Sequence, residues 1–259
     1  MTTRLATALL VVLSLVAALA APRSASAGDV CFGLPVTIVG SGFIEGTVSD
    51  DVILGSAAKD TTVGLGGNDY VCSIGGNDDI TMLGGVDHVD AGTGDDKVRG
   101  GPGGNTLYGS DGADSIADQD GVEIIYGGGG NDKITLGAGK DSGFGGDGDD
   151  AVDGGDGIDT MYGDDGDDGD DALYGNGSNN AISGGLGADR LYGEVGADTL
   201  TGDEGNDALY GGESNCDKLY GEEGDDALDG GIGAGDLCDG GAGTDSVFPG
   251  SCETAIGIP

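Results

Sequence analysis

Single large apolar residues recur along the chain every nine positions, and each stands between two mostly polar neighbours. Val71, Val89 and Leu107 are typical members, and Thr62 and Gly143 are the weak members of the series. Because alternate side chains of a strand point to opposite faces, each triplet predicts a very short strand whose central side chain points inward. Glycines separate the triplets, and glycine tolerates the positive φ angles of tight turns. The hydrophobic pattern therefore predicts many short strands joined by turns.

The repeating unit is nine residues long and reads G-G-x-G-x-D-x-U-x, where U is the large apolar residue. Thirteen units run without insertion from Gly46 to Tyr162, and nine more continue to Phe248. Short insertions follow Tyr162 and lie near Cys216 and Gly235. One unit cannot bury its apolar residue alone, so we expect the units to stack and to bury position eight between neighbours.

Position six of the unit supplies the candidate chemistry. It is acidic in 20 of 22 units, and Asn105 and Asn180 occupy the other two. The carboxylate follows a glycine-rich turn that exposes backbone carbonyls. Ca²⁺ takes about six to eight oxygen ligands in flexible geometry, whereas His88 and the scattered cysteines form no zinc-binding set. Oxygen ligands of this kind suit Ca²⁺.

Composition and charge narrow the function further. The 259 residues include 60 Gly, 48 Asp and Glu, and 9 Lys and Arg, and the net charge is −39. This balance excludes nucleic-acid binding, which requires a basic surface. Large apolar residues are too few for an ordinary two-layer core. Without bound cations the carboxylates of neighbouring coils would repel one another. We therefore expect the calcium-free chain to be largely disordered and to fold on binding Ca²⁺.

Residues 46–248 resemble the RTX nonapeptide family of calcium-binding β-rolls, as in GGGGNDKIT at 127–135 and GGLGADRLY at 184–192. The segments at 31–40 and 252–253 also resemble small secreted actinobacterial proteins of this type. The resemblance implies an all-β, right-handed parallel β-roll (a β-solenoid) with two units per coil, hence eleven coils. It also implies that Ca²⁺ lies between the turns of consecutive coils, bound by turn carbonyls and position-six carboxylates. The candidate metal ligands are Asp69, Asp78, Asp87, Asp96, Asp114, Asp132, Asp141, Asp150, Asp159, Asp171, Asp189, Asp198, Asp207, Asp226 and Asp245.

Four turns depart from the pattern, and we expect them to bind Ca²⁺ weakly or not at all. The turn at 55–60 lacks the glycines, and those at 100–105 and 175–180 end in an amide. The turn at 118–123 lacks the leading glycine pair and ends in the larger glutamate. The acidic segment at 163–171 contains a three-residue insertion, which is interpreted as a tolerated loop; the alternative is a special cation or partner site.

The first residues read as a cleaved secretory signal. Arg4 precedes an apolar run over 5–21, and Ala-Ser-Ala at 25–27 fits a cleavage site. The alternative is a membrane anchor, but the run of 17 residues is slightly short of the ~20 that a span needs. We therefore expect a secreted, extracellular protein with no membrane span after cleavage. The predicted organisation is a signal at 1–27, an N-terminal cap at 28–45, the roll at 46–248 and a C-terminal cap at 249–259.

Five cysteines are an odd number for a secreted protein. We expect Cys31 to pair with Cys72 and to clamp the N-terminal cap to the roll. Cys238 and Cys252 would form the C-terminal clamp, since the open ends of a solenoid need capping. Cys216 is then left over, although it could instead pair with Cys238.

Aromatic residues recur at position nine with a spacing of 18 residues. We expect them to stack as ladders on an outer face, with the three-residue insertion moving the ladder from one sheet to the other. The ladders would stiffen the roll; the alternative is a glycan-binding strip. The two sets are Tyr108, Tyr126, Phe144 and Tyr162, followed by Tyr174, Tyr192 and Tyr210.

No catalytic constellation accompanies the repeats. His88 falls at an outward position, and no motif places a serine or cysteine nucleophile. We therefore expect no enzymatic activity. The sequence favours a secreted calcium-binding protein that folds with Ca²⁺. The alternative is an extracellular structural or adhesive module for a cell surface or glycan, in which Ca²⁺ only stiffens the rod.

Overall fold

The structure is a computed structural model that describes residues 30–163 and 169–258. The regular secondary structure within these ranges consists of β-strands alone. The strands form two long parallel sheets of 13 and 12 strands, a small parallel sheet of three and an antiparallel pair. No helix suited to crossing a membrane occurs in the described ranges. The predicted signal at 1–27 lies outside the described residues.

The two long sheets alternate along the chain, so that two units make one coil. In spatial order, sheet one consists of Ile38–Val39, Val52–Leu54, Tyr70–Cys72, His88–Asp90, Thr106–Asp111, Ile124–Gly129, Ser142–Asp147, Thr160–Tyr162, Ala181–Gly187, Thr199–Gly205, Lys218–Glu223, Leu237–Asp239 and Thr254–Ile256. Sheet two consists of Phe43–Glu45, Thr61–Val63, Asp79–Thr81, Lys97–Arg99, Ser115–Ala117, Lys133–Thr135, Ala151–Asp153, Ala172–Tyr174, Arg190–Glu194, Ala208–Gly212, Ala227–Asp229 and Ser246–Val247. The small sheet consists of Asp120–Gly121, Ala138–Gly139 and Asp156–Gly157, and Val30–Cys31 pairs with Leu34–Pro35.

The strand register shows how the roll accommodates insertions. Leu107 lies beside Ile125, which is 18 residues later and one coil further on. Where the three-residue insertion intervenes, Met161 lies beside Ile182. The single-residue insertions are absorbed in the same way. Each insertion is therefore confined to a turn, and the apolar positions stay aligned.

The sheets are longer than the eleven coils implied by the repeats. Ile38–Val39 and Phe43–Glu45 pair in parallel with the first repeat strands, and Thr254–Ile256 pairs with the last strand of sheet one. Residues that flank the repeats therefore extend the solenoid at both ends.

The position-eight side chains form one apolar column between the sheets. From Ile53 to Cys238 the apolar members belong to a single buried cluster, which confirms their predicted inward orientation. Each fully buried Leu or Ile contributes ~1.5–3 kcal/mol. Gly143 has no side chain to place there, and Leu136 from the same unit fills the space. A Cβ on Gly143 would lie 3.0 Å from Leu136 Cδ2.

Two disulfides tie the ends of the roll, as predicted. Cys31 is bonded to Cys72, and Cys238 is bonded to Cys252. Cys216 is an exposed free cysteine. The alternative pairing of Cys216 with Cys238 is therefore not formed.

The aromatic ladders are present on both sheets. Neighbouring rings from Tyr108 to Tyr162 on sheet one are 4.7–5.2 Å apart and within 10° of parallel. The rings from Tyr174 to Tyr210 stack similarly on sheet two. The ladder changes sheets because Tyr174 lies one unit, not one coil, after Tyr162. Ring faces pack on one another, so mainly ring edges meet solvent.

Candidate metal centres at the turns

The position-six side chains are buried in two rows along the edges of the roll. Successive units alternate between the sheets, so each row takes every second unit. Edge one, which precedes the strands of sheet one, contains Asp51, Asp69, Asp87, Asn105, Glu123, Asp141, Asp159, Asn180, Asp198, Asp217 and Asp236. Edge two contains Asp60, Asp78, Asp96, Asp114, Asp132, Asp150, Asp171, Asp189, Asp207, Asp226 and Asp245. All fifteen predicted ligands lie in these rows, five on edge one and ten on edge two.

One carboxylate oxygen of each predicted ligand joins two coils. The backbone N–H of Asp69 donates to Asp87 Oδ1 at 2.8 Å, and that of Asp114 donates to Asp132 Oδ1 at 2.7 Å. The other predicted ligands accept the same bond from the preceding coil. Oδ1 therefore sets the spacing of the coils, and Oδ2 remains for other chemistry.

The second oxygen, Oδ2, points into its own turn. At many turns it is buried and receives no hydrogen bond from any described residue, which is costly for a charged group. A Cβ on Gly127 would overlap both Asp132 Oδ2 and the carbonyl oxygen of Gly145, so oxygen atoms converge where the glycine leaves room. These carboxylates are Asp96, Asp114, Asp132, Asp141, Asp159, Asp198, Asp207, Asp217, Asp226, Asp236 and Asp245.

Side chains alone do not complete a metal site. In the described ranges no three His, Cys, Asp or Glu side chains converge as a metal-binding group. Backbone carbonyls must therefore supply most of the ligands, which suits Ca²⁺ and not zinc.

Asn180 shows which carbonyls face the second oxygen. Its Nδ2 donates to the carbonyl oxygens of Gly175 at 2.8 Å and Gly177 at 3.2 Å. A Cβ on Gly175 would lie 2.7 Å from Asn180 Nδ2, and one on Gly193 would lie 2.6 Å from Asp198 Oδ2. The amide nitrogen and the carboxylate oxygen thus occupy equivalent places. An aspartate there directs an acceptor at acceptors, an arrangement that a cation stabilises.

Two further departures from the repeat provide protein donors. Asp60 Oδ2 accepts from Ser56 N at 2.7 Å and Ser56 Oγ at 3.0 Å. Asp51 Oδ2 accepts from Thr47 N at 2.6 Å. At these turns an N–H or O–H does what a cation would do elsewhere.

The sequence prediction omitted Asp217 and Asp236, which have the same surroundings as the consensus carboxylates. Their Oδ1 atoms accept from the preceding coil at 2.9 and 3.0 Å. Single-residue insertions shift both from the strict spacing. Leu219 and Cys238, the buried apolar residues two positions later, were the signal that could have identified them.

Position five forms a second row that the sequence prediction missed. Asp50 Oδ1 accepts from Asn68 N at 2.8 Å, and Asp95 Oδ1 accepts from Ala113 N at 3.1 Å. The recurrence of Asp or Asn at this position was the available signal. These bonds also join consecutive coils.

Burial perturbs the acidity of the rows. Desolvation raises the pKa of Asp96, Asp132 and Asp198 to about 7, although the N–H bond from the preceding coil lowers it. The same cause raises the pKa of Asp114 and Asp207 to about 6. Neighbouring aspartates add to the rise. Near neutral pH, protons therefore compete with Ca²⁺ for these carboxylates, because Ca²⁺ requires the deprotonated form.

Comparison with known proteins agrees with this geometry. The family described as RTX calcium-binding nonapeptide repeat (4 copies) matches well over half of the 259 residues. The matched segments are 39–71, 83–116, 118–152, 144–168, 166–191, 183–215 and 217–237. A search of curated proteins found no match.

Proposed function

Because the chain belongs to the RTX calcium-binding nonapeptide-repeat family, we propose that it is a secreted protein whose calcium-free chain is largely disordered and folds when Ca²⁺ loads the turns. The repeats and the parallel solenoid make it a calcium-binding β-roll protein. The proposal adds the coupling to folding, the extracellular location and the ligand residues.

One observation carries the coupling: rows of buried carboxylate oxygens without hydrogen-bond donors among the described residues. In the calcium-bound protein the Oδ2 atoms and turn carbonyls would hold the ions. Bound Ca²⁺ would supply the positive charge that the chain lacks, since 48 acidic residues face 9 basic ones. The proposed ligands are the fifteen predicted aspartates together with Asp217 and Asp236.

The proposed location rests on the leader pattern at 1–27 and on the two disulfides, which persist in oxidising compartments. Extracellular calcium modules bind Ca²⁺ at about 10⁻⁴–10⁻³ M. With such an affinity, the chain would stay disordered inside the cell and would fold outside it.

A circular-dichroism titration of residues 28–259, with disulfides intact, tests the coupling. Adding Ca²⁺ from zero to about 10 mM, well above the extracellular affinity range, should give a cooperative transition from coil to β structure. Mg²⁺ should not reproduce it, because Mg²⁺ demands stricter geometry and keeps its waters. A β spectrum already complete in chelator, and unchanged by Ca²⁺, would contradict coupled folding.

The second candidate is an extracellular structural or adhesive module in which Ca²⁺ only stiffens the rod. The stacked rings and the two disulfides favour it, because both strengthen the roll without metal. It requires β structure in chelator. If a glycan is the partner, Tyr126→Ala and Tyr192→Ala should each weaken binding while the fold persists. For neither candidate do we propose catalysis.

A further inference from the structure

The turn at 118–123 on edge one is built unlike its neighbours. Asp118 stands where most units carry their first glycine, and Glu123 stands at position six. Glu123 is fully buried, and Asp118 is 6% exposed. Asp141, one coil further along the same edge, is 1% exposed. Three buried carboxyl groups therefore lie within two consecutive turns.

The oxygens of Glu123 face other oxygens. Its backbone N–H donates to Asp141 Oδ1 at 2.9 Å. Neither Glu123 Oε atom nor Asp141 Oδ2 receives a hydrogen bond from a described donor. A Cβ on Gly121 would overlap both Glu123 Oε1 and the carbonyl oxygen of Gly103. Glu123 Oε1 and the carbonyl oxygen of Gly103 thus converge beside Gly121, and no described N–H donates to either Glu123 Oε atom.

Asp118 adds a third charge held in a fixed orientation. Asn105 Nδ2 donates to both of its oxygens, at 3.0 and 3.2 Å, and Gln119 N donates to Oδ1 at 2.9 Å. The amide at position six of the preceding coil therefore orients the carboxylate.

The backbone of this edge is paired across three coils. Asp120–Gly121, Ala138–Gly139 and Asp156–Gly157 form the small parallel sheet. Ca²⁺ affinity depends on the number of charged ligands and on the rigidity of the site. The turns at 118–123 and 136–141 carry one more buried carboxylate than two consecutive consensus turns, and their backbones are paired with each other.

We propose that the turns at 118–123 and 136–141 together form a distinct calcium site. This site holds its ion more tightly than the consensus turns and empties last. Glu123 and Asp141 are its carboxylate ligands, and the buried charge of Asp118 adds to the attraction for the cation. The turn that lacks the glycine pattern, which the sequence predicts to bind weakly, thus binds most tightly. This inference rests on the proposed calcium-dependent function.

Equilibrium dialysis of the calcium-loaded, folded protein against falling free Ca²⁺, with bound calcium counted per chain, tests the site. The wild type should retain one ion at free Ca²⁺ roughly tenfold below the level at which the others leave. Glu123→Gln should abolish this last step. Asp118→Asn should weaken it roughly tenfold, because it removes one buried negative charge from the surroundings of the ion. Asp132→Asn at a consensus turn of edge two is the matched control, and it should remove one ion while leaving the last step intact.

The alternative is a proton shared by Glu123 and Asp141. In that case Glu123→Gln would leave the calcium count unchanged and stabilise the calcium-free fold, which would overturn the inference. Circular dichroism in saturating Ca²⁺ verifies that the variant is folded. If Glu123→Gln does not fold, Asp118→Asn decides, because an unchanged last step would equally overturn the inference. Absence of all calcium binding in the wild type would instead refute the proposed function.

Discussion

At each turn of this roll, one side-chain oxygen or nitrogen atom at position six decides how the buried hydrogen-bonding groups of that turn are satisfied. Asp132 presents an oxygen without a donor, Asp60 receives two bonds from Ser56, and Asn180 donates to turn carbonyls. These three arrangements occur on similar backbones. A single residue therefore decides whether a turn leaves a buried carboxylate oxygen without a described donor or satisfies it within the protein.

Replacing Asn180 by Asp should convert a self-satisfied turn into a calcium site. The new Oδ2 would face the carbonyl oxygens of Gly175 and Gly177 in place of a donor. Bound calcium should rise by one ion per chain, and folding should need more Ca²⁺, because the turn loses its own hydrogen-bond donor. Calcium counting and a circular-dichroism titration with Ca²⁺ measure the two effects.

Asn179→Asp supplies the same change of charge one residue away. Asn179 uses Oδ1 to accept from Ala197 N at 2.9 Å, a bond that aspartate also accepts. This control should leave the calcium count unchanged. An equal count in the wild type and Asn180→Asp would contradict the assignment of these carbonyls.

Gly127→Ala should damage a consensus turn sterically. Its Cβ would overlap Asp132 Oδ2 and the carbonyl oxygen of Gly145, and overpacking of this kind costs about 1–3 kcal/mol. We expect a lower melting temperature in Ca²⁺ and the loss of one bound ion. Gly129→Ala is the control, because nothing lies within 4 Å of a Cβ there. Equal melting temperatures for the two variants would show that the glycine is not required for the site.

At the scale of the element, many strands are only three residues long and depend on their neighbours in the adjacent coils. Each unit contributes one position-eight side chain to the apolar column, so the column has no redundancy within a unit. Gly143 leaves a gap in this column, and Leu136 from position one of the same unit occupies it. Volume is thus conserved within the unit although the pattern is broken.

The Leu136 and Gly143 pair should behave as a coupled unit. Leu136→Ala should cost about 2–5 kcal/mol because it leaves a cavity. Gly143→Leu alone should also destabilise the protein, by overpacking against Leu136 and Val152. The double variant should recover much of the loss, since it restores the consensus. A double-mutant cycle by denaturant unfolding in Ca²⁺ measures the coupling, and strict additivity would contradict it.

At the scale of the whole molecule, the stacking of coils stabilises the solenoid, and repulsion among its many carboxylates opposes it. Glu253 closes one row, because its Oε2 accepts from the backbone N–H groups of Gly235 and Asp236 at 2.9 Å each. The neighbouring Cys252 is bonded to Cys238 and anchors this segment. The end of the acidic row is therefore satisfied by a residue outside the repeats.

The raised acidities predict opposite pH dependences with and without Ca²⁺. Asp96, Asp132 and Asp198 have a pKa of about 7 in the calcium-free fold, against an ordinary value of 3.8. The folded state therefore binds these protons more tightly than the unfolded state. Its stability is complete below the ordinary pKa and is lost as pH rises toward about 7. Protonation should therefore favour the fold in the absence of metal, and metal-stripped protein should show more β structure at about pH 5 than at about pH 8, where we expect it to be largely disordered.

Saturating Ca²⁺ should reverse this trend, because protons compete with the metal for the carboxylates. Circular dichroism at both pH values, in chelator and in Ca²⁺ and with disulfides intact, makes the comparison. A content of β structure in chelator that rises with pH would contradict the burial of uncompensated carboxylates.

Much of the fold could be predicted because its determinants are local. Val71 and Leu107 point inward because strand side chains alternate, and glycine turns follow from the same nine-residue pattern. Cys31 and Cys238 could be matched with their partners because solenoid ends need closure. The candidate carboxylates could be identified by type and spacing alone.

The sequence by itself determined the unit, its inward and outward faces and the candidate carboxylates, because each depends on neighbours within a few residues. The pairing of Cys31 with Cys72, which are 41 residues apart, followed instead from the need to close the open end of a solenoid. Only the tertiary structure decided which turns share an edge. It placed Asn105, Glu123 and Asn180 in one row. It also allowed Asn105 to donate a hydrogen bond to Asp118, and Glu253 to accept one from the backbone N–H of Asp236. These contacts join residues 13 to 21 positions apart. Their spacing depends on where each insertion is absorbed, and a local period carries no information about that.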